Sequence, residues 1–118
     1  TKDHEWIDPK TGKIGITDYA QHSLTDIVFV ELPEKGKKVE QGKSFAIVES
    51  VKSVSDVFAP VSGLIEDNNP AVSEKPQLVN EEPFGKGWIA KIKISNAAEL
   101  SKLMDKKAYD AYLKTQKH

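Results

Sequence analysis

The chain has 118 residues, of which 38% are hydrophobic and 30% are charged, and its formal net charge is −1. This length predicts one domain whose core needs neither disulfides nor a metal. The absence of cysteine excludes thiol catalysis and zinc–thiolate sites. All 17 basic residues are lysines, which together with the near-neutral charge argues against nucleic-acid binding. No apolar run approaches the roughly 20 residues of a membrane span, so we predict no membrane association.

Short strands separated by turns are predicted for the first two thirds of the chain. Thr17 can cap a short helix over residues 18–25. The strand signals are residues 14–16, residues 27–30, a short segment opening at Val39, and residues 64–65. Because these signals recur about every ten residues and are bounded by Gly or Pro, they predict a small all-β sandwich or barrel.

The segment from Glu49 to Asp56 places Lys52 between two runs typical of strands. The apolar residues 45–48 precede it, and the apolar residues around Val57 follow it. We therefore predict a hairpin with Lys52 near its tip, where a lysine is rigidly presented and reachable for covalent modification. The simplest alternative is a solvated turn lysine.

The last third of the chain changes character. Residues 76–87 predict an irregular connection with one helical turn, and residues 88–94 alternate apolar and polar side chains as a half-buried strand does. Asn96, with Glu99 as its reciprocal capping partner, predicts a helix start, and Asp105 predicts a second one. We expect the aromatic stripe of this last helix to pack in the core, with a partner-docking face as the alternative.

Ordinary catalytic machinery is not visible in the sequence. The three histidines, His4, His22 and His118, form no metal-ligand spacing. No nucleophile and base arrangement and no Gly-rich phosphate loop is present. We therefore predict no metal site and no catalytic residues, which is the pattern of a protein that is not an enzyme.

A series of short motifs runs through nearly the whole chain. They are His4-Glu-Trp6, Gly15-Ile-Thr17, Ala20-Gln21, Val30-Glu-Leu-Pro33, Glu49-Ser-Val-Lys52, Ser55-Asp56, Ala59-Pro60, Ser62-Gly63, Leu78-Val-Asn80 and Gly87-Trp88. In this order and spacing the chain resembles the H proteins of the glycine cleavage system, which carry lipoic acid on a lysine. Thr25 departs from the family pattern because glycine usually stands there, and Ser53 replaces the commoner alanine.

Competing carrier families fit the lysine less well. Biotin carriers typically bracket their lysine with methionines, whereas Val51 and Ser53 flank Lys52 here. The lipoyl domains of 2-oxoacid dehydrogenases commonly place aspartate where Val51 stands. The H-protein resemblance implies a mainly β fold, a barrel-sandwich hybrid of two antiparallel sheets with the lysine on a hairpin tip. It also implies a short helix in the N-terminal half, C-terminal helices, and one domain over residues 1–118, with a core at about 4–94 and a helical segment at about 96–116.

The resemblance implies that Lys52 bears amide-linked lipoic acid and that the protein is a monomeric, non-catalytic carrier of an aminomethyl group. The implied partners are a pyridoxal-phosphate-dependent glycine decarboxylase, a tetrahydrofolate-dependent aminomethyltransferase and a dihydrolipoyl dehydrogenase. A lipoate ligase or a lipoyl/octanoyl transferase would attach the group. One alternative is an H-like protein that relays lipoyl groups to other enzymes, and another is an interaction module with an unmodified lysine. The implied compartment is the mitochondrial matrix in a eukaryote and the cytoplasm in a bacterium or archaeon.

Further residues receive roles from this resemblance. Those expected at the surface read by the lipoylating enzyme are Glu49, Val51 and Ser53. A cationic, hydrolysis-prone cargo calls for a water-excluding cleft with carboxylates. We hypothesise that Glu5 and Asp56 contribute to this cleft, with Asp3 as a weaker candidate; the simpler alternatives are a local ion pair and a solvated strand residue. We expect Trp6 and Trp88 in the core, with the cleft border as the alternative.

Overall fold

The computed structural model describes residues 4–114. Its strands are β1 (Glu5–Ile7), β2 (Lys13–Ile16), β3 (Ile27–Glu31), β4 (Lys38–Val39), β5 (Ser44–Ser50), β6 (Val54–Phe58), β7 (Gly63–Asn68) and β8 (Ala90–Ile94). Its helices are α1 (Asp18–Leu24), α2 (Pro70–Glu74), α3 (Gln77–Glu81), a 3₁₀ helix (Ala97–Lys102) and α4 (Lys106–Leu113). No helix within residues 4–114 has the length and apolar character to cross a bilayer.

The strands form two antiparallel sheets, which confirms the predicted fold class. One sheet has five strands in the order β1-β2-β8-β7-β4, and the other has three in the order β3-β5-β6. A single cluster of buried apolar side chains draws on both sheets: Ile14 and Ile65 come from the first and Val48 comes from the second. Val72 of α2 and Val79 of α3 join the same cluster, because both helices pack against β3. Burial of these side chains supplies the main driving force for joining the sheets.

Helix α1 begins after a residue with an ordinary extended backbone and ends at a residue with positive φ. Thr17 caps its start, as predicted, by accepting a hydrogen bond from the backbone N–H of Ala20 at 3.3 Å. At its end, Thr25 has φ 66° and ψ −147°. This region of backbone space is occupied almost only by glycine. Thr25 therefore holds a strained conformation where the chain turns from α1 into β3.

Two short elements escaped prediction. Helix α3 supplies the helical turn expected in the connection after residue 76, but α2 and β1 were not predicted. Asn69 caps α2 by accepting a hydrogen bond from the Ala71 backbone at 3.2 Å, and Pro70 occupies the first helical turn. Elements of three to five residues are too short for an apolar period to be visible.

The C-terminal helical segment is capped as predicted but attached differently. Asn96 accepts a hydrogen bond from the Ala98 backbone at 3.1 Å, and Asp105 caps α4. Glu99 was expected to bond back to the cap residue, but its carboxylate accepts hydrogen bonds from the backbone N–H and the hydroxyl of Ser62, at 2.8 and 3.0 Å. A side chain expected to serve its own helix therefore fastens the segment to the turn before β7.

Candidate functional site

Lys52 lies at the centre of the three-residue turn that joins β5 and β6, residues 51–53. Strand β5 is the central strand of the three-stranded sheet, and Val48 on it is fully buried. The ladder between the two strands continues up to the pair Glu49 and Val54, immediately before the turn. The turn therefore extends directly from the central strand of its sheet.

The backbone of the turn is held by Ser50. Its backbone N–H donates to the carbonyl oxygen of Ser53 at 2.8 Å, and its Oγ accepts from the N–H groups of Ser53 and Lys52 at 3.1 and 3.4 Å. A hydroxyl carries two acceptor lone pairs, so one Ser50 side chain can serve both N–H groups. We did not single out Ser50 from the sequence, although a serine just before a turn is a known signal for this bonding.

The side chains of the turn, in contrast, are free. Val51 is 67% exposed, Lys52 and Ser53 are exposed as well, and Val54, the first residue of β6, is 65% exposed. The ammonium group of Lys52 makes no hydrogen bond and no ion pair with any of residues 4–114. A fixed backbone therefore carries an amine that nothing in the described chain engages.

Strand register places Glu49 in the middle of the outer face beside this turn. Glu49 lies between Phe29 of β3 and Val54 of β6. One row further from the turn, Asp56 is exposed and its carboxylate accepts a hydrogen bond from the Ser44 hydroxyl at 2.9 Å. The outer face beside the turn therefore presents a carboxylate between two apolar side chains.

A cavity of about 940 Å³ is bordered by β1, α1 and the C-terminal helical segment. Its walls are mainly apolar and include Trp6, Tyr19, Phe84, Leu103, Met104 and Leu113. Its carboxylates are Glu5, Asp18, Asp105 and Asp110. Apolar walls with a few placed polar groups are the general character of a ligand site.

Glu5 is the buried carboxylate of this cavity, with only 4% of its surface exposed. One of its oxygens accepts a hydrogen bond from the Phe58 backbone N–H, at the end of β6, at 3.4 Å. The Tyr109 hydroxyl lies 2.8 Å from Nδ1 of His4 and 2.7 Å from Oγ1 of Thr17. Burial raises the pKa of Tyr109, the Thr17 hydroxyl opposes this rise, and the negative charge of Glu5 adds to it. The Tyr109 hydroxyl thus connects α4 to His4, the residue before β1, and to Thr17, the cap of α1.

The residues hypothesised to form the cleft do not all line this cavity. Glu5 lies in the cavity wall, whereas Asp56 is not among the lining residues within 4–114, and Asp3 lies outside the described residues. The expectation of core tryptophans was wrong, because Trp6 and Trp88 are both only half-buried. Trp6 lines the cavity, which was the alternative expectation. Within residues 4–114 no three His, Asp or Glu side chains are grouped as metal ligands.

Comparison with known proteins adds an independent finding. The family model for the glycine cleavage H-protein matches residues 1–116. The glycine cleavage system H protein of Paramagnetospirillum magneticum is 54% identical over 117 residues, which cover 98% of this chain and 94% of that protein. The H protein of Carboxydothermus hydrogenoformans is 52% identical over 118 residues, covering 98% and 91%. The crystal structure of an H protein from Mycobacterium marinum is similar with a TM-score of 0.77 and 39% identity, covering 86% of this chain and 91% of that one.

Proposed function

This chain belongs to the glycine cleavage H-protein family, and from that premise we propose that Lys52 is the residue that carries its lipoyl group. The function of the chain is that of the family, a lipoyl carrier that moves an aminomethyl group derived from glycine within the glycine cleavage system. The observation that carries the assignment to Lys52 is the contrast at the hairpin tip. The three N–H groups of the turn are hydrogen-bonded, while the amine at its centre is exposed and has no hydrogen-bond or ion-pair partner among residues 4–114.

The residues around Lys52 fit an amide-linked group. Attachment needs a reachable primary amine, and the Lys52 ammonium is not tied up in an ion pair within residues 4–114. When bound, the lipoyl group supplies the sulfur chemistry that accepts and releases the cargo. The chain itself supplies presentation, because the Ser50 hydrogen bonds hold the backbone of the turn while the lysine side chain stays exposed.

Recognition by the attaching enzyme is proposed to use the surface next to the lysine. Val51 and Ser53 flank it in the turn and are exposed. Glu49 lies between Phe29 and Val54 on the outer face of the sheet. A negative charge at a fixed position between apolar side chains would let an attaching enzyme distinguish Lys52 from other exposed lysines by electrostatic and shape complementarity.

The cavity is proposed to shelter the cargo between partner enzymes. Strand β6 runs from the turn to Phe58, where the Glu5 carboxylate accepts a hydrogen bond from the backbone. At about 3.3 Å per residue, Val54 and Phe58 lie about 13 Å apart, a span suited to a long flexible arm. The buried carboxylate of Glu5 would bind a cationic amine by charge-assisted hydrogen bonds, and apolar walls would exclude water. We propose that Asp56, which lies on the same strand as Phe58, binds the cationic cargo between the turn and the cavity. Asp3 stays a weaker candidate for the same role.

The partners are enzymes of the glycine cleavage system. We propose that they are the pyridoxal-phosphate-dependent decarboxylase, the tetrahydrofolate-dependent aminomethyltransferase and dihydrolipoyl dehydrogenase, and that the chain itself catalyses no step. A lipoate ligase or lipoyl/octanoyl transferase is the proposed source of the group. The relatives named above are bacterial, which supports a cytoplasmic location over the mitochondrial alternative.

Reconstitution with a purified glycine decarboxylase tests this function. The lipoylated protein should support exchange of labelled CO₂ into glycine, and a Lys52→Arg variant treated with the same ligase should fall to background. Lys43→Arg is the matched control, because Lys43 is another exposed lysine close to the hairpin. It should behave as the unaltered protein does. A fully lipoylated chain that supports no exchange would contradict the carrier function and favour the relay alternative.

A further inference from the structure

A single carboxamide, that of Asn80 on α3, joins the end of α1 to the start of β3. Its Nδ2 donates to the backbone oxygen of Thr25 at 2.7 Å and to Oε1 of Gln21 at 2.9 Å. Its Oδ1 accepts from the backbone N–H of Ile27 at 2.9 Å. The three bonds use the amide's acceptor oxygen and both of its N–H donors. Asn80 therefore bonds to both ends of the junction formed by residues 25–27.

This junction needs such a clamp because its backbone is strained. Thr25 is β-branched, yet its φ of 66° and ψ of −147° lie in a region that side chains rarely adopt. A conformation of this kind persists only where the surroundings fix it from several sides. Here the N–H of Thr25 donates to the Gln21 carbonyl at 3.0 Å, and its own carbonyl is held by Asn80.

The clamped junction reaches the hairpin tip directly. The carbonyl oxygen of Asp26 accepts a hydrogen bond from the backbone N–H of Val51 at 3.1 Å. The other two N–H groups of the turn, those of Lys52 and Ser53, are bonded to Ser50 inside the hairpin. Among residues 4–114, Asp26 is thus the partner outside the hairpin that holds the backbone of the turn.

We propose that Asn80 is a positioning residue for Lys52. It holds residues 25–27 so that the Asp26 carbonyl fixes the turn at Val51, which presents the neighbouring lysine in one orientation to the attaching enzyme. The inference rests on the proposed function of Lys52 as the acylated residue. It adds a residue distant in sequence, and outside the hairpin, to those that decide how well this lysine is modified.

The chain offers a matched control in Asn69. Its Nδ2 donates to the backbone oxygens of Lys86 and Trp88 at 2.8 and 2.7 Å, and its Oδ1 accepts from Ala71 at 3.2 Å. Asn69 therefore joins two chain segments with two donated bonds and one accepted bond, as Asn80 does, but its partners belong to α2 and to the segment before β8. A general loss of stability should follow from Asn69→Ala and Asn80→Ala alike.

Two measurements on the apo protein, below its unfolding temperature, separate positioning from stability. The first is the hydrogen-exchange rate of the Val51 amide by NMR, and the second is kcat/KM for lipoyl transfer by a purified lipoate ligase. Asn80→Ala should speed Val51 exchange about tenfold and lower kcat/KM about fivefold or more, because the acceptor group is no longer held in place. Asn69→Ala should leave both quantities within about twofold of the unaltered protein.

The proposal is overturned if Asn80→Ala matches Asn69→Ala in either measurement. Should Asn80→Ala fail to fold, the same comparison is made with Thr25→Gly as the parent, since glycine adopts the junction conformation without strain. In that background Asn80→Ala should still speed Val51 exchange and slow lipoyl transfer. Failure of the proposed function would look different: the unaltered chain would gain no lipoyl group at Lys52, while Val51 exchange would still report on the clamp.

Discussion

The hairpin tip and the cavity differ in which part of the chain is held in place. At the tip, hydrogen bonds fix the backbone while the side chains of Val51 and Lys52 project freely. At the cavity, side chains form the walls, and their polar groups are hydrogen-bonded: the buried Glu5 carboxylate to the Phe58 backbone, and the half-buried Tyr109 hydroxyl to His4 and Thr17. We therefore expect the presentation of Lys52 and the proposed sheltering of the cargo to depend on different residues. A change in one region should alter its own property and leave the other intact.

The largest expected effect on this comparison comes from Tyr109→Phe. The variant removes the hydroxyl that lies between His4 and Thr17, so part-buried polar groups lose a partner. We expect the free energy of unfolding to fall by about 2 kcal/mol, measured by urea titration. Lipoyl transfer to Lys52 should stay unchanged, because the hydrogen bonds described for the turn, to Ser50 and Asp26, do not involve α4. Slower transfer with retained folding would show that the two regions are coupled.

Glu5→Gln tests the shelter by itself. The variant keeps the shape of a buried side chain but removes its charge, so a cationic cargo loses a charge-assisted hydrogen bond. We expect the loaded arm to hydrolyse about tenfold faster, followed as ammonia release in the absence of partner enzymes. Asp56→Asn should have a smaller effect in the same direction, because Asp56 is exposed. Glu31→Gln, at an exposed strand position, serves as the control. An unchanged lifetime of the loaded arm in Glu5→Gln would contradict the proposal that the cavity shelters the cargo.

Thr25→Gly tests the strain in the junction formed by residues 25–27, which links α1 at the cavity to β3 beside the hairpin. Glycine removes a conformational cost of about 1–3 kcal/mol and adds an entropic cost of about 0.5–1 kcal/mol, so we expect a net gain of about 1 kcal/mol in unfolding free energy. Thr11→Gly is the control, since Thr11 is exposed and has no positive φ. It should lower stability slightly. Loss of stability in Thr25→Gly would contradict the strain at this position.

The smallest expected effect is a pH dependence at the cavity. The pKa of Tyr109 is raised above its ordinary value of 10.0, chiefly by burial, so the folded state binds this proton more tightly than the unfolded state does. Its contribution is therefore fully present below pH 10 and is lost as the pH rises from 10 through the folded-state pKa. Urea titrations across this range should show a steeper alkaline loss of stability in the unaltered protein than in Tyr109→Phe. Parallel curves would contradict the assignment.

The parts of this molecule that could be predicted from the sequence are those fixed by neighbouring residues. The caps Thr17 and Asp105 and the hairpin around Lys52 follow from local signals, and the structure has all three. The attachment of Glu99 to Ser62 could not be predicted, because the two residues lie far apart in the chain and a local partner was equally plausible.

A cleft that includes Glu5 was hypothesised from the sequence, but most of the walls of the cavity could not be predicted, for the same physical reason. Its walls come from β1, α1 and the C-terminal helical segment, which meet only when the chain folds. The motif that ends in Asn80 carried the family resemblance, yet nothing in it indicated that its carboxamide bonds to residues 25–27. Sequence patterns named residues that matter, whereas the reasons for their importance required the tertiary contacts.

The attachment of a lipoyl group to Lys52 is the central claim, and mass spectrometry tests it most directly. The apo chain is incubated with lipoate ligase, lipoic acid and ATP, and its intact mass and proteolytic peptides are compared with those of Lys52→Arg. We predict one lipoyl addition, located on the peptide that contains Lys52, and none in the variant. A lipoyl addition that persists in Lys52→Arg would show that another lysine carries the group.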